Sequence, residues 1–135
     1  MPVDDRATKL ALDAMVVRVS AASAVISKRG ALLVRSLAQG KLHEGYGVVS
    51  GTMRRSVHTE GPTARGAGVF GTRVGPSKIY SRRFELGFVG PDSLGRVFPD
   101  HPRPFMRPAV TEARPRIEAL AASQWRKAIR GEGGL

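Results

Sequence analysis

Ile79-Tyr-Ser-Arg-Arg-Phe-Glu-Leu-Gly-Phe88, followed after a turn-rich bridge by Arg103-Pro-Phe-Met-Arg-Pro-Ala-Val110, is the stretch whose reading decides the fold. In its first half Ile79, Ser81, Arg83, Glu85 and Gly87 alternate with Tyr80, Arg82, Phe84, Leu86 and Phe88. The second set is apolar apart from Arg82, and that period of two predicts a half-buried strand. In the second half Pro104 and Pro108 bracket Phe105 and Met106. Proline fixes φ near the helical value, and its missing N–H costs nothing in a first turn. That half therefore predicts a helix start carrying a large apolar anchor.

Working outward toward the N-terminus, Leu12, Val16, Val19, Ser23, Ile26, Gly30, Leu33 and Leu37 recur in steps of four and three. This predicts one long helix over residues 1–40, capped by Asp4 or Asp5 and stopped at Gly40. Ser23 and Gly30 put small residues on the stripe, where another backbone or ring can approach closely. Gly30 costs about 1 kcal/mol relative to Ala, so a break near Lys28–Gly30 is an alternative. The stripe has two uses, packing on the protein's own sheet and last helix or coiling with a neighbour. The helix exceeds what so small a sheet can cover, which points its first turns at a neighbour.

Residues 41–103 read as a sheet with loops. A connector with Gly45 and Gly47 leads to a first strand at Thr52–Thr59. Gly61-Pro62 breaks it, 61–68 form a loop or hairpin tip, and Val69–Val74 is a second strand. Gly75-Pro76-Ser77 turns into the Ile79–Phe88 strand. Gly90-Pro91-Asp92-Ser93 is another turn, and Arg96–Phe98 an edge strand. Residues 104–130 are helical again, with a kink expected at Pro115, and 131–135 form a flexible tail. The whole is a single α+β domain: a long helix, a three- to four-stranded antiparallel sheet, and a closing helix.

The chain has 135 residues and no cysteine, which excludes disulfide frameworks and thiolate metal sites. No apolar run approaches the ~20 residues that span a bilayer, so no membrane partner is expected. With 22 Lys+Arg against 11 Asp+Glu the net charge is +11, and it is spread along the chain. It is either a solvated basic surface or the mark of a partner of opposite sign, nucleic acid or an acidic protein.

Chemistry is hard to find. Gly66-Ala-Gly-Val-Phe-Gly71 matches G-x-G-x-x-G literally, but Thr-Arg-Val-Gly-Pro follows it and cannot be the required helix. His43, His58 and His101 are far apart and lack metal-ligand spacing. No catalytic, cofactor or metal site is expected, and the chain does not read as an enzyme. The densest basic pairs are Arg54-Arg55 and Arg82-Arg83, with Arg55, Arg82 and Arg83 the candidates for DNA-backbone contact. On strands, neighbours point to opposite faces, so neither pair is expected to form one patch.

Three segments in order carry a resemblance: Ser50-Gly-Thr-Met-Arg-Arg-Ser-Val57, Tyr80-Ser-Arg-Arg-Phe-Glu-Leu-Gly87 and Arg103-Pro-Phe-Met-Arg-Pro-Ala109. Together they resemble the signature of the gene-product-ten-like neck, or tail-completion, family of long-tailed phages. Ser81 stands where that family usually has Ala, and Leu86-Gly87-Phe88 replaces its Phe-Gly-Thr ending. The resemblance implies a virion structural protein made in the host cytoplasm, a homo-oligomeric ring of six or twelve copies. The ring would join the DNA-filled head to the tail, with head-closure or connector proteins on one side and a tail terminator or tail tube on the other. Genomic DNA would pass through its lumen. A tail terminator ring, or a small basic nucleic-acid-binding protein, is the alternative. It implies Arg54, Glu85, Gly87, Phe105 and Arg107 as interface candidates. Glu85 pairs either within its own sheet or with Arg54 or Arg107 of a neighbour. Phe105 either plugs the core or inserts into the next subunit.

Overall fold

The computed structural model describes residues 5–44, 47–48, 51–78, 81–87, 94–95 and 102–131. In chain order they form α1 (Asp5–Lys41), β1 (His43–Glu44), β2 (Gly47–Val48), α2 (Thr52–Ser56), β3 (Val57–Gly66), β4 (Val69–Pro76), α3 (Ser81–Leu86) and α4 (Met106–Arg130). The class is α+β, a long N-terminal helix, a two-stranded antiparallel sheet and a C-terminal helix. β3 and β4 make that sheet, joined by the two-residue turn Ala67–Gly68 with Gly68 at φ 70°. β1 and β2 form a short parallel bridge, His43 opposite Gly47.

Among the described residues the meander is smaller than the sequence predicts. Thr52–Ser56, read as the start of a strand, is a helical turn, and the strand begins at Val57. Gly51 at φ 76° starts the turn, Arg55 N–H donates to Gly51 O at 3.0 Å, and Ser56 Oγ donates to Met53 O at 2.7 Å. Gly61-Pro62 does not break β3. Gly61 takes φ 114°, and a Cβ there would lie 2.9 Å from Gly71 O on the facing strand. Close approach of two backbones is what the glycine permits.

The larger correction concerns the third strand. Ser81–Leu86 is α3, with Ser81 buried and Leu86 exposed, the reverse of the strand pattern. Over six residues the alternation fits a helix as well, since Ser81, Phe84 and Glu85 share a face at i, i+3 and i+4. Gly87 at φ 75° ends the turn, its N–H donating to Arg83 O at 2.8 Å. Ile79, Tyr80, Phe88, the 90–93 turn and the 96–98 edge strand lie outside the described residues.

The helices match their predicted spans more closely. α1 runs one residue past Gly40 and is unbroken at Gly30. By length and composition it is also long and apolar enough to cross a membrane. The expectation that no apolar run approaches that length does not hold for α1, where Asp13 and Arg18 interrupt the apolar residues without ending the stretch. α4 begins at Met106 and contains Pro115 within its span.

Contacts divide the chain into two compact units. The first comprises residues 1–30, 61–72 and 115–135. Its buried side chains are small, Ala22 and Ala128 with Ile26. Gly30 leaves room for Ile117, whose carbons lie 3.4 Å from where a Cβ would sit. Trp125 Nε1 donates to Ser23 Oγ at 2.9 Å, and that hydroxyl donates onward to Val19 O at 3.0 Å. Both small residues of the stripe thus receive α4 side chains, as their size allows. Arg18 Nε donates to Ala128 O at 2.9 Å, satisfying a carbonyl in the last turn of α4 where a cation is favoured. Ser27 and Thr72 share a hydroxyl hydrogen bond of 2.7 Å.

The second unit comprises residues 31–60 and 73–114. Among the described residues its largest fully buried side chains are Phe105, Leu42 and Val57. Ala31, Val34 and Ala38 of α1, Met53 of α2, and Ala109 and Ala113 of α4 are buried with them. Gln39 Nε2 donates to Arg54 O at 3.2 Å and Val57 O at 3.4 Å, tying α1 to the α2–β3 corner. Lys41 and Glu112 form a part-exposed ion pair at 2.9 Å, the kind worth under about 1 kcal/mol.

Candidate functional site

The α3–α4 junction brings together four of the five interface candidates. Helix α4 starts with unsatisfied backbone N–H groups, as every helix does. Here a carboxylate from α3 supplies the acceptors. Glu85 Oε2 accepts from Phe105 N–H at 2.8 Å and Met106 N–H at 3.1 Å, while Oε1 accepts from Arg107 N–H at 3.0 Å. A negative charge at a helix N-terminus meets both the bare N–H groups and the positive end of the macrodipole. Arg103 N–H donates to Phe84 O at 2.9 Å, and its guanidinium carbon lies 5.6 Å from the Phe84 ring centre. The Phe84 and Phe105 rings meet edge to face, 5.8 Å between centres.

Glu85 therefore pairs within its own chain with backbone N–H groups of the α4 start, not with a residue of its own sheet. Arg107 contributes its N–H, and its side chain is exposed. Phe105 is fully buried in the second unit. Gly87 closes α3 in the left-handed region, next to the residue that places the cap. Arg54 stands apart on α2, its side chain exposed and its carbonyl taken by Gln39.

The candidates for DNA contact change geometry. Arg54 and Arg55 lie on α2, and Arg82 and Arg83 on α3. Helical neighbours are separated by about 100° rather than by the half-turn of a strand. Arg54, Arg55 and Arg82 are exposed and Arg83 is half-buried. The expectation that neither pair makes a patch rested on strand geometry that these residues do not have.

Two features escaped sequence reasoning. Ser81, on α3, buries a hydroxyl that finds no hydrogen-bond partner among the described residues. His58 Nδ1 faces Ser56 O at 2.9 Å, and Nε2 faces Glu60 Oε1 at 3.1 Å. The Ser56 carbonyl, then Glu60, hold its pKa above 6.5. Neighbouring acid at i+2 on a strand was the readable signal, since both side chains share a face. The literal G-x-G-x-x-G lies across the β3–β4 turn with strand on both sides. Among the described residues no group of three His, Asp or Glu is placed to hold a metal ion.

Comparison of the chain with protein-family models, with curated proteins and with solved structures found no match.

Proposed function

We propose that the chain is a virion structural protein of the phage neck, a ring that joins the head to the tail by assembly rather than by chemistry. The observation that carries the reading is the Glu85 cap. The second and third segments of the resemblance are 20 residues apart at Glu85 and Phe105, yet they lock into one unit through three N–H bonds to one carboxylate. The order in this chain, Glu85-Leu-Gly87 before Arg103-Pro-Phe-Met-Arg-Pro-Ala109, has a physical reason in that unit. The first segment supplies the Gly51 turn and the buried Met53 and Val57 of the same core. The bend expected at Pro115 belongs to this proposal, since proline removes an interior hydrogen bond of α4.

The +11 charge supports a lumen or face that meets DNA, with Arg54, Arg55 and Arg82 the exposed members of the basic pairs. In a neck the affinity is weak, because DNA slides past; a dedicated DNA-binding protein holds it with steep salt dependence. The test is electron microscopy of lysates from a phage encoding this chain, with the gene silenced. Filled heads lying apart from finished tails are expected. Normal joined virions would overturn the reading, and salt-dependent DNA binding lost in an Arg54→Ala, Arg82→Ala double variant would then assign the alternative. Glu85 and Phe105 make poor interface probes, because substituting either removes intrachain structure.

A further inference from the structure

Residues 61–72, the outer part of the β3–β4 hairpin, belong to the first unit, and their two faces differ. Successive residues of a strand point to opposite faces. Thr72 Oγ1 shares its 2.7 Å hydrogen bond with Ser27 Oγ of α1, and Phe70 lines an open groove with Val16 of α1 and Trp125 of α4. Phe70 and Thr72 thus set one face against the helices, and Val69 and Gly71 belong to the other. Arg65 of β3 lies on that outer face, its guanidinium carbon 2.9 Å from where a Gly71 Cβ would sit. Because Gly71 has no side chain, the arginine lies flat across the ribbon from one strand to the next.

Thr63, Arg65 and Val69 of this face are exposed. Arg65 is the only charged residue in 61–72, and no acid occurs between Glu60 and Glu85. Among the described residues its guanidinium has no hydrogen-bond or ion-pair partner. A planar fork of five N–H donors, always charged and suited to phosphate, is therefore presented to solvent without a counter-charge. Arg65 apart, no side chain on the face is larger than valine. A protein partner is held mainly by large anchors buried at the centre of an interface, and this face has none. Affinity for nucleic acid comes from neutralised phosphates and needs no such anchor. A two-stranded ribbon also fits the major groove of B-DNA, about 12 Å wide.

We propose that the outer face of the β3–β4 ribbon is a contact for duplex DNA, with Arg65 on a backbone phosphate. The inference rests on the reading in which DNA passes this chain, and it adds a second element to the arginines of α2 and α3.

Arg65 is exposed, so Arg65→Ala is expected to leave the melting temperature unchanged. Binding of the full chain to a short fluorescein-labelled DNA duplex is followed by anisotropy between about 50 and 200 mM salt. The slope of log affinity against log salt is expected to fall by about 0.9 in Arg65→Ala, the share of one phosphate, and to persist in Arg65→Lys. The chain has no cysteine, so an aryl azide on Thr63→Cys reports a single position. It is expected to photo-cross-link to the duplex far more than the same label on Ala119→Cys, exposed on α4. An unchanged slope in Arg65→Ala overturns the proposal. If the Arg54→Ala, Arg82→Ala variant loses slope instead, DNA still meets the chain, but not at the ribbon. Absence of binding at the lowest salt overturns the proposal, and so does equal binding to polyglutamate, which would mark an acidic protein as the partner. A reduced slope and a Thr63 cross-link together with normal virions after silencing would sustain the contact and sink the neck.

Discussion

Glu85 Oε2 takes the backbone N–H of Phe105 at 2.8 Å, so the first residue of the α4 turn is held by a carboxylate from another element. The same side chain holds Met106 and Arg107, and it replaces the local Ser, Thr, Asp or Asn that most helices use. Pro104 precedes the site and offers no side-chain oxygen. Removing the carboxylate strands three donors beside a fully buried ring. Glu85→Ala is expected to lower unfolding stability by about 2–3 kcal/mol, with Glu85→Gln about half as damaging because one oxygen survives. Urea titration checks this. A loss below about 0.5 kcal/mol for Glu85→Ala would show that the cap is not formed in solution.

Ser81 offers a prediction of opposite sign. Its hydroxyl is buried and unpartnered among the described residues, which costs more than it returns. Ser81→Ala, the residue usual in the resembled family, is expected to stabilise by about 1 kcal/mol and to raise the melting temperature. A lower melting temperature would mean that the hydroxyl has a partner.

Gly30 separates two effects at one position. Alanine gains about 1 kcal/mol of helix propensity, and its Cβ meets Ile117 at ordinary contact distance, 3.4 Å. Gly30→Ala should therefore be neutral or stabilising. Gly30→Val pushes branched carbons into Ile117 and should destabilise by about 1–3 kcal/mol. Thermal melts of the pair decide it, and equal melting temperatures would show that Ile117 does not pack there.

His58 makes stability depend on pH. Its folded pKa is raised above 6.5 by the Ser56 carbonyl and then Glu60, so the protonated form is favoured by folding. The contribution is fully present below the unfolded pKa and is lost as pH rises through the raised folded value. An imidazole NMR titration should place His58 above 6.5, and His58→Gln should flatten the melting temperature across that interval. Titration at or below 6.5 would contradict the geometry.

The two helical ends were legible in the chain because periodicity over 25 residues or more averages out local exceptions. α1 is Asp5–Lys41 and α4 is Met106–Arg130, within a few residues of the predicted spans. The roles of Ser23 and Gly30 were legible too, since small residues on an apolar stripe leave room for a ring or a branched chain. Ser81–Leu86 was not. Six residues whose apolar members alternate satisfy strand and helix alike, and local preference cannot choose between them. The choice was made by partners 20 residues away, the bare N–H groups of Phe105 and its neighbours. A helical turn puts Phe84 and Glu85 side by side toward them, whereas a strand would send the two to opposite faces. Charge, class and the two long helices thus belong to the sequence alone. The cap, the buried Ser81 and the open groove beside Trp125 exist only where tertiary structure brings distant segments together.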